Sequence, residues 1–532
     1  MPPRAQEVCD IRINHGFERH RSSAILCRTS TIVSLVKVVS GQEYLRDMIF
    51  PVGFADSECY AKELAAFVNS PIFQLLTVEI HHLDSFLTGT PNDPWQKLPS
   101  EWRAWFEDDC EDIERLEMRL RDVRMKGTSN LLNRPKTLDD FLARLRGLAL
   151  PRLRRESRST FSQPHIAELS PDLLRGMSIK KQVEVIEFAG IVQSLANRVG
   201  AENAIDIGAG FGPLQVLAVD GSRSQIEGSI ALSGSSASTT LEPSITYLLQ
   251  HVSSASSGRV EVECWLKKKG PAVIVGLHCC GSLTDDLLGM FLQTETIRGV
   301  AVAGCCFNHL RTSATPAESC IGQDSVDVEP SASTFPSSSL LKSYSLRLSS
   351  TAKMAACQNV GGWTDSTGRE LSEKERKKEE QNQLLSRKRK HYRRLFTRLL
   401  LSSHLLQESR PQLETLRLGS IPRNKLSSFT PYASYVLSKL DLLTEENNGS
   451  LMEEAKLIEE TYSGWRWDAR GRTIEALGKA IGEVVESTIA IDRYLTLKTH
   501  HAVDPETVDI FQTWAYEDSP RNLILVAQKR PL

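Results

Sequence analysis

Three short stretches carry the residue types that could do chemistry. The first is Ala204-Ile205-Asp206-Ile207-Gly208-Ala209-Gly210-Phe211-Gly212, an apolar strand running into a glycine-rich turn. Gly208, Gly210 and Gly212 lack a Cβ, so the backbone can take positive φ and a ligand can come close. A turn of this kind after a parallel strand suits a nucleotide-like cofactor. The next strand, Val216-Leu217-Ala218-Val219-Asp220, ends in a carboxylate, the group that accepts hydrogen bonds from two vicinal ribose hydroxyls. The second and third stretches are Gly276-Leu277-His278-Cys279-Cys280-Gly281 and Gly304-Cys305-Cys306-Phe307-Asn308-His309. Each closes an apolar strand with imidazole and thiol groups. In an open α/β sheet, ligands sit at the carboxyl ends of the strands. A parallel sheet would therefore bring His278, Cys280, Cys306 and His309 to the same rim as the glycine turn.

Several roles for the thiols stay open. Adjacent Cys-Cys pairs lack the Cys-x₂-Cys spacing that turns two thiolates toward one ion, so local spacing argues against zinc and no metal ligand is assigned. Buried cysteine also packs as a small apolar residue. The pairs could line a cofactor or substrate site, and a histidine beside a thiol can lower its pKa and make it a nucleophile.

The elements that must position these residues are readable from periodicity. Val183, Val185, Ile186, Ala189, Ile191, Val192 and Leu195 give a helix before the glycine turn a broad apolar face. Its polar start, Met177 to Glu184, reads as the edge of a ligand site. Val260 to Trp265 alternates like a strand, Ala272 to Leu277 and Val300 to Ala303 are buried strands, and Leu283 to Leu292 is a helix between them. Thr473 to Leu497 reads as one long helix, and Leu523 to Ala527 as a closing strand. Strands alternating with helices predict a parallel, doubly wound sheet. Residues 1–170 are read as a helical N-terminal region whose tryptophans pack a core. Residues 171–310 form the first part of the α/β domain, 311–352 a disordered Ser-rich insertion, and 353–532 the remainder of that domain. A basic helix at 372–400 carries Arg387, Lys388, Arg389, Lys390, Arg393 and Arg394, either a solvated face or a contact for RNA.

The chain has 532 residues, 40% of them hydrophobic, and a net charge of −2. That is room for large cores, with no global field to draw nucleic acid, so any such contact must be local. Eleven cysteines, an odd number clustered in adjacent pairs, do not make a secreted disulfide framework. No stretch approaches the roughly 18 apolar residues of a membrane span. A cytoplasmic or nuclear protein with no membrane contact is expected.

At the motifs quoted above the sequence resembles the methyltransferase-like protein 25 family, a branch of the S-adenosylmethionine-dependent methyltransferases. The matching stretches are Met177 to Glu184, Asp206 to Gly212, Val216 to Ser222, Leu277 to Leu283 and Gly304 to Phe307. Leu98 to Trp102, Arg417 to Tyr432, Glu486 to Arg493 and Ser519 to Ala527 are also similar to it. The resemblance implies a Rossmann-like class I methyltransferase sheet behind a helical N-terminal region. It implies S-adenosylmethionine held at its methionine end by Asp206 and the turn glycines Gly208, Gly210 and Gly212, and at its ribose by Asp220. His278 is then a base or polar clamp on the methyl acceptor, Cys306 a further catalytic candidate, and Phe307 a stacking surface for a planar acceptor; RNA or protein is the acceptor class. One departure stands out. The family has a whole helix between the first two strands, and here eight residues, Gly208 to Gln215, remain. A parallel crossover ordinarily takes about a dozen or more. The expectation is that the standard strand-helix-strand unit cannot form and that the helix after the first strand is missing. A second reading follows: a catalytically impaired methyltransferase fold retained as an RNA- or protein-binding module.

Overall fold

A computed structural model describes residues 50–78, 94–107, 113–127, 131, 133–152, 178–207, 214–233, 245–312, 334–357, 372–403, 418, 420–462, 464–516 and 518–531. The helices that come first include α1 (Ser57–Val68), α2 (Pro71–Val78), α3 (Ser100–Glu107), α4 (Ile113–Arg124) and α5 (Lys136–Leu148). Then follow α6 (Ile179–Val199), β1 (Asn203–Ile207), β2 (Gln215–Asp220), α7 (Arg223–Ser233), β3 (Ile245–Leu249), α8 (Arg259–Lys269), β4 (Ala272–Cys280), α9 (Leu283–Gln293) and β5 (Ile297–Cys305). Two short helices, α10 (Ser339–Ser343) and α11 (Ser350–Ala356), lead to α12 (Glu373–Ser402), α13 (Phe429–Lys439), α14 (Asn448–Tyr462), α15 (Trp465–Ala480) and α16 (Gly482–Lys498). Strands β6 (Asp509–Gln512) and β7 (Leu523–Gln528) close the chain.

The seven strands form one sheet in the order β3-β2-β1-β4-β5-β7-β6. Strands β1 to β5 pair in parallel, and β7 enters antiparallel between β5 and β6. This is a Rossmann-like α/β sheet. Helix α6 covers one face: Val185, Phe188, Val192 and Leu195 pack with Val216, Val273, Ala301 and Ile524. The larger core spans the other face and the helices. It joins Trp95, Trp102 and Phe106 to Ile274, Phe291, Leu399, Val485 and Leu525, so the tryptophans of the N-terminal region are core residues.

Helix α6 shows how sequence sets its ends. Ser178 caps the start by accepting from the Lys181 N–H, and Gly200, at φ 62°, ends it in the left-handed conformation that lacks a Cβ penalty.

Four findings bear on these expectations, and the last three correct them. First, β1 and β2 do pair in parallel across the short connection, with Asn203 opposite Gln215 and Ile207 opposite Val219. Returning from the end of a five-residue strand to the start of its neighbour is a span of about 14 Å, and eight residue steps reach about 26 Å when extended. The strands are short enough to be rejoined by a connection of this length. Second, Val260–Trp265 lies within the helix α8. Val262 and Leu266, four residues apart, are its buried positions, whereas Val260 is 67% exposed, so the alternation was incidental. Third, the stretch read as one helix from Thr473 to Leu497 is two, α15 and α16, meeting at Ile481. Gly482 sits there because a Cβ would lie 2.4 Å from the Ala355 carbonyl oxygen. Fourth, residues 334–352 of the stretch expected to be disordered are folded. Asp492 accepts from the N–H and hydroxyl of both Ser337 and Ser338, and Phe335, Leu341 and Leu348 are buried. Residues 313–333 lie outside the described residues.

Candidate functional site

With β1, β2, β4 and β5 parallel, their carboxyl ends share one rim, and that rim gathers the titratable groups. Asp206 is fully buried in β1, between Ala218 of β2 and Val275 of β4. Asp220 ends β2, half-buried, and its Oδ1 accepts from the Ser222 N–H at 2.7 Å, closing a turn into α7. Gly208, Gly210 and Gly212 lie outside the described residues.

The first two turns of α6 bring Lys181 and Glu184 to the same place. Burial pulls the Lys181 ammonium below the usual lysine value, opposed by the charges of Glu184 and Asp206. Glu184 is 1% exposed. Its Oε2 lies 2.9 Å from His278 Nε2, and its Oε1 is 3.9 Å from Lys180 Nζ. Burial pushes this carboxyl up, but the hydrogen bond and charge of His278 outweigh it and hold the group below the usual range.

His278 reaches Glu184 because of a β-bulge. Gly276 pairs with Val302 and Cys279 with Gly304, so β4 carries one residue more than β5 over that interval. His278 takes φ 65° there, a left-handed conformation that re-aims its ring. The ring is 26% exposed at its side chain, accessible from the rim. Sequence spacing gave no sign of this pairing across 94 residues, although the polar start of α6 and His278 were each singled out.

Below His278, three thiols meet. Cys280 and Cys305 are register partners on β4 and β5, with sulfurs 3.5 Å apart, and Cys305 Sγ is 3.6 Å from Cys306 Sγ. The hydrogen bond from Cys305 holds the Cys280 thiol down to about 6, aided by Cys306 and by the charges of His278 and His309 against the effect of burial. The same hydrogen bond pushes Cys305 up, and burial raises Cys306. Of the three, Cys280 is the one whose surroundings favour the thiolate. Cys279 is buried and packs against Gly276, on the opposite side of the strand.

Phe307 does not offer a stacking surface. It is 3% exposed, and the Arg521 guanidinium lies over its ring at 5.4 Å. It borders a cavity of about 30 Å³ shared with Thr284, Gly304, Glu486 and Arg493, room for a water-sized molecule and too small for a planar acceptor. Glu486 accepts from Arg152 at 2.5 Å and from Arg521 at 3.0 Å. Arg493, fully enclosed, grips Asp285 with Nε and Nη2 at 2.8 and 3.1 Å and donates to the Gly281 carbonyl at 2.9 Å. These residues fix the tips of β4 and β5. Periodicity missed them; acids and arginine inside the apolar run of α16 were the available signal.

The basic run on α12 is divided among environments. Arg387 pairs with Glu117 at 2.7 Å, Lys390 with Glu475, Lys388 donates to the Leu426 carbonyl at 3.5 Å, and Arg394 is buried 3.7 Å from Glu475. Arg393 is half-buried and Arg389 exposed.

Residues 180–313 match a family model described as a methyltransferase domain. Comparisons with curated proteins and with solved structures gave no match. The sheet and the matched segment coincide: the rim built by α6, β1, β2, β4 and β5 falls within the residues that are similar to a methyltransferase domain. Among the described residues no helix is long and apolar enough to cross a membrane.

Proposed function

We propose that the chain is an S-adenosylmethionine-dependent methyltransferase of the methyltransferase-like protein 25 type, acting on a nucleophile of RNA or protein in the cytoplasm or nucleus. The observation that carries this reading is the pair of acids on neighbouring parallel strands: Asp206 within β1 and Asp220 ending β2. The donor set fits the cofactor. Asp206 and Lys181 are complementary to an amino acid's ammonium and carboxylate, and the position of Asp220 suits a ribose diol. Gly208, Gly210 and Gly212 would let the backbone approach.

Bound there, S-adenosylmethionine supplies a methyl group activated by its positive sulfonium. The chain's own work is to hold and orient. Rate comes chiefly from bringing acceptor and methyl into line at about 3–3.5 Å. His278, fixed at Nε2 by Glu184, takes the acceptor's proton at Nδ1. The carboxylate then stabilises the imidazolium that forms.

Titration calorimetry of the full chain with S-adenosylmethionine tests the reading. Micromolar binding that is lost in Asp220→Ala, a half-exposed position, and in Asp206→Ala supports it. Transfer of labelled methyl groups to RNA or to protein then identifies the acceptor class. No binding heat, with RNA retained through Arg389 and its neighbours and released as salt rises, overturns the enzyme in favour of a binding module. The ion pairs of Arg387 and Lys390 with Glu117 and Glu475 weigh against that outcome.

A further inference from the structure

We propose that Cys280, Cys305 and Cys306 together bind one thiophilic d¹⁰ cation, Zn²⁺ or Cu⁺, at the joined tips of β4 and β5. The three sulfurs all lie within 4.8 Å of one another. A metal–sulfur bond of about 2.3 Å sets tetrahedral sulfur–sulfur edges of about 3.8 Å. The Cys280–Cys305 and Cys305–Cys306 edges are 3.5 and 3.6 Å, so an ion needs the thiols to part by only a few tenths of an ångström.

The backbone is arranged to produce this grouping. Successive residues of a strand point to opposite faces, so Cys305 and Cys306 would ordinarily diverge. Cys306 instead takes φ 47°, which breaks the alternation and turns its sulfur back toward Cys305. A non-glycine residue in that region is strained, and the surrounding contacts hold it there. On the other strand, the Gly281 N–H donates to the Cys305 carbonyl at 2.9 Å, which locks Cys280 opposite Cys305. A side chain at Gly281 would strike the His309 carbonyl at 2.5 Å, so glycine lets the segment after β5 close over the cluster. The ligands thus come from neighbouring strands, which is why spacing within either Cys-Cys pair said nothing about them.

Three thiolates select soft ions over magnesium or calcium. Cys280 is exposed, giving an ion a route from solvent, and Cys305 is buried, giving it a fixed anchor. Three protein ligands leave a fourth position for water or for His309, whose N–H closes onto the Cys306 carbonyl at 2.9 Å. The site stands whether or not the rim takes a methyl donor.

The test uses the full chain, purified reduced, stripped with a chelator and reloaded anaerobically with Zn²⁺ in one arm and Cu⁺ in the other. Metal is then counted by elemental analysis. About one equivalent is expected in the wild type and in Cys264→Ser, an exposed thiol on α8, falling to about a tenth in Cys280→Ser and Cys306→Ser. Uptake in the first arm identifies zinc, and in the second copper. Should Cys305→Ser fail to fold, the exposed Cys280 variant decides alone. Equal uptake by wild type and Cys280→Ser, uptake of neither ion, or a Cys280–Cys305 disulfide in protein isolated under thiol protection overturns the site.

Discussion

Glu184 and His278 form a carboxylate–imidazole pair, Oε2 to Nε2 at 2.9 Å, between the start of α6 and the bulged tip of β4. The carboxylate is almost wholly enclosed, so the imidazole is what makes its charge tolerable. His278→Ala should therefore cost about 1–3 kcal/mol near neutral pH. The Glu184 value is depressed in the folded chain, so its contribution is present above the ordinary 4.5 and fades as pH falls through the folded value. In the variant, burial is opposed only by the Ser519 hydrogen bond and the Lys181 charge, and a protonated Glu184 needs no charged partner. Urea unfolding at pH 4.5 and 7.5 should show the gap between the two proteins widening with pH; an equal gap at both would sink the argument.

Arg493 and Asp285 are both nearly enclosed, and each is the other's main charge partner. Burial works against the guanidinium, and Asp285 more than compensates, raising it above its usual value. Breaking one side of such a pair costs about 3–5 kcal/mol, because a lone charge is left inside. Arg493→Met should show that loss in chemical denaturation. The double variant Arg493→Met, Asp285→Leu should recover at least half of it. No recovery would mean that the arginine matters through its bond to the Gly281 carbonyl rather than through charge.

Asp286, beside that pair, behaves in the opposite sense. Burial pushes its carboxyl up to about 6 against the pull of Arg311, and its Oδ2 is enclosed with no hydrogen-bond partner. The unfolded value is the ordinary 3.8, so the folded state holds the proton more tightly. The resulting stability is complete below about pH 4 and is lost as pH rises through 6, a change of about 2 kcal/mol between pH 4.5 and 7.5. Asp286→Asn should remove that slope. A wild type and variant whose unfolding free energies run parallel over this range would contradict it.

Two glycines with the same backbone sign should respond differently to alanine. Gly200, at φ 62°, has nothing within 4 Å of an added Cβ, and Gly281, at φ 55°, would place it 2.5 Å from His309. Gly200→Ala should cost about 1 kcal/mol from backbone strain alone. Gly281→Ala should cost severalfold more, since the segment after β5 must move. Melting temperatures of the two variants compare them directly, and similar losses would show that the His309 segment yields easily.

Much of the sheet was legible because buried parallel strands such as Ala272–Leu277 and Val300–Ala303 are continuous apolar runs. The rim was legible too, since strand direction alone brings Asp206, Asp220, His278 and Cys280 to one end. What escaped was tertiary. The alternation of Val260 to Trp265 fits a strand, and only the burial of Val262 and Leu266 reveals the helix. The Glu184–His278 pair and the three-thiol group join residues from separate elements, and no local period encodes them. Phe307 looked available because a strand end is usually open, whereas Arg521, arriving from the far end of the chain, covers its face.

The connection between β1 and β2 bears on how the sheet assembles. Partners across this pair sit twelve residues apart, as in Ala204 with Val216, whereas β1 and β4 are joined by partners such as Asn203 and Ala272. Loop-closure entropy grows only with the logarithm of length, about 0.6 kcal/mol for each doubling, so this contact forms a small ring cheaply. A parallel ladder ordinarily has to wait for a distant segment to arrive. Here the two strands that carry Asp206 and Asp220 can meet early, as a seed onto which β4 and the rest of the sheet condense.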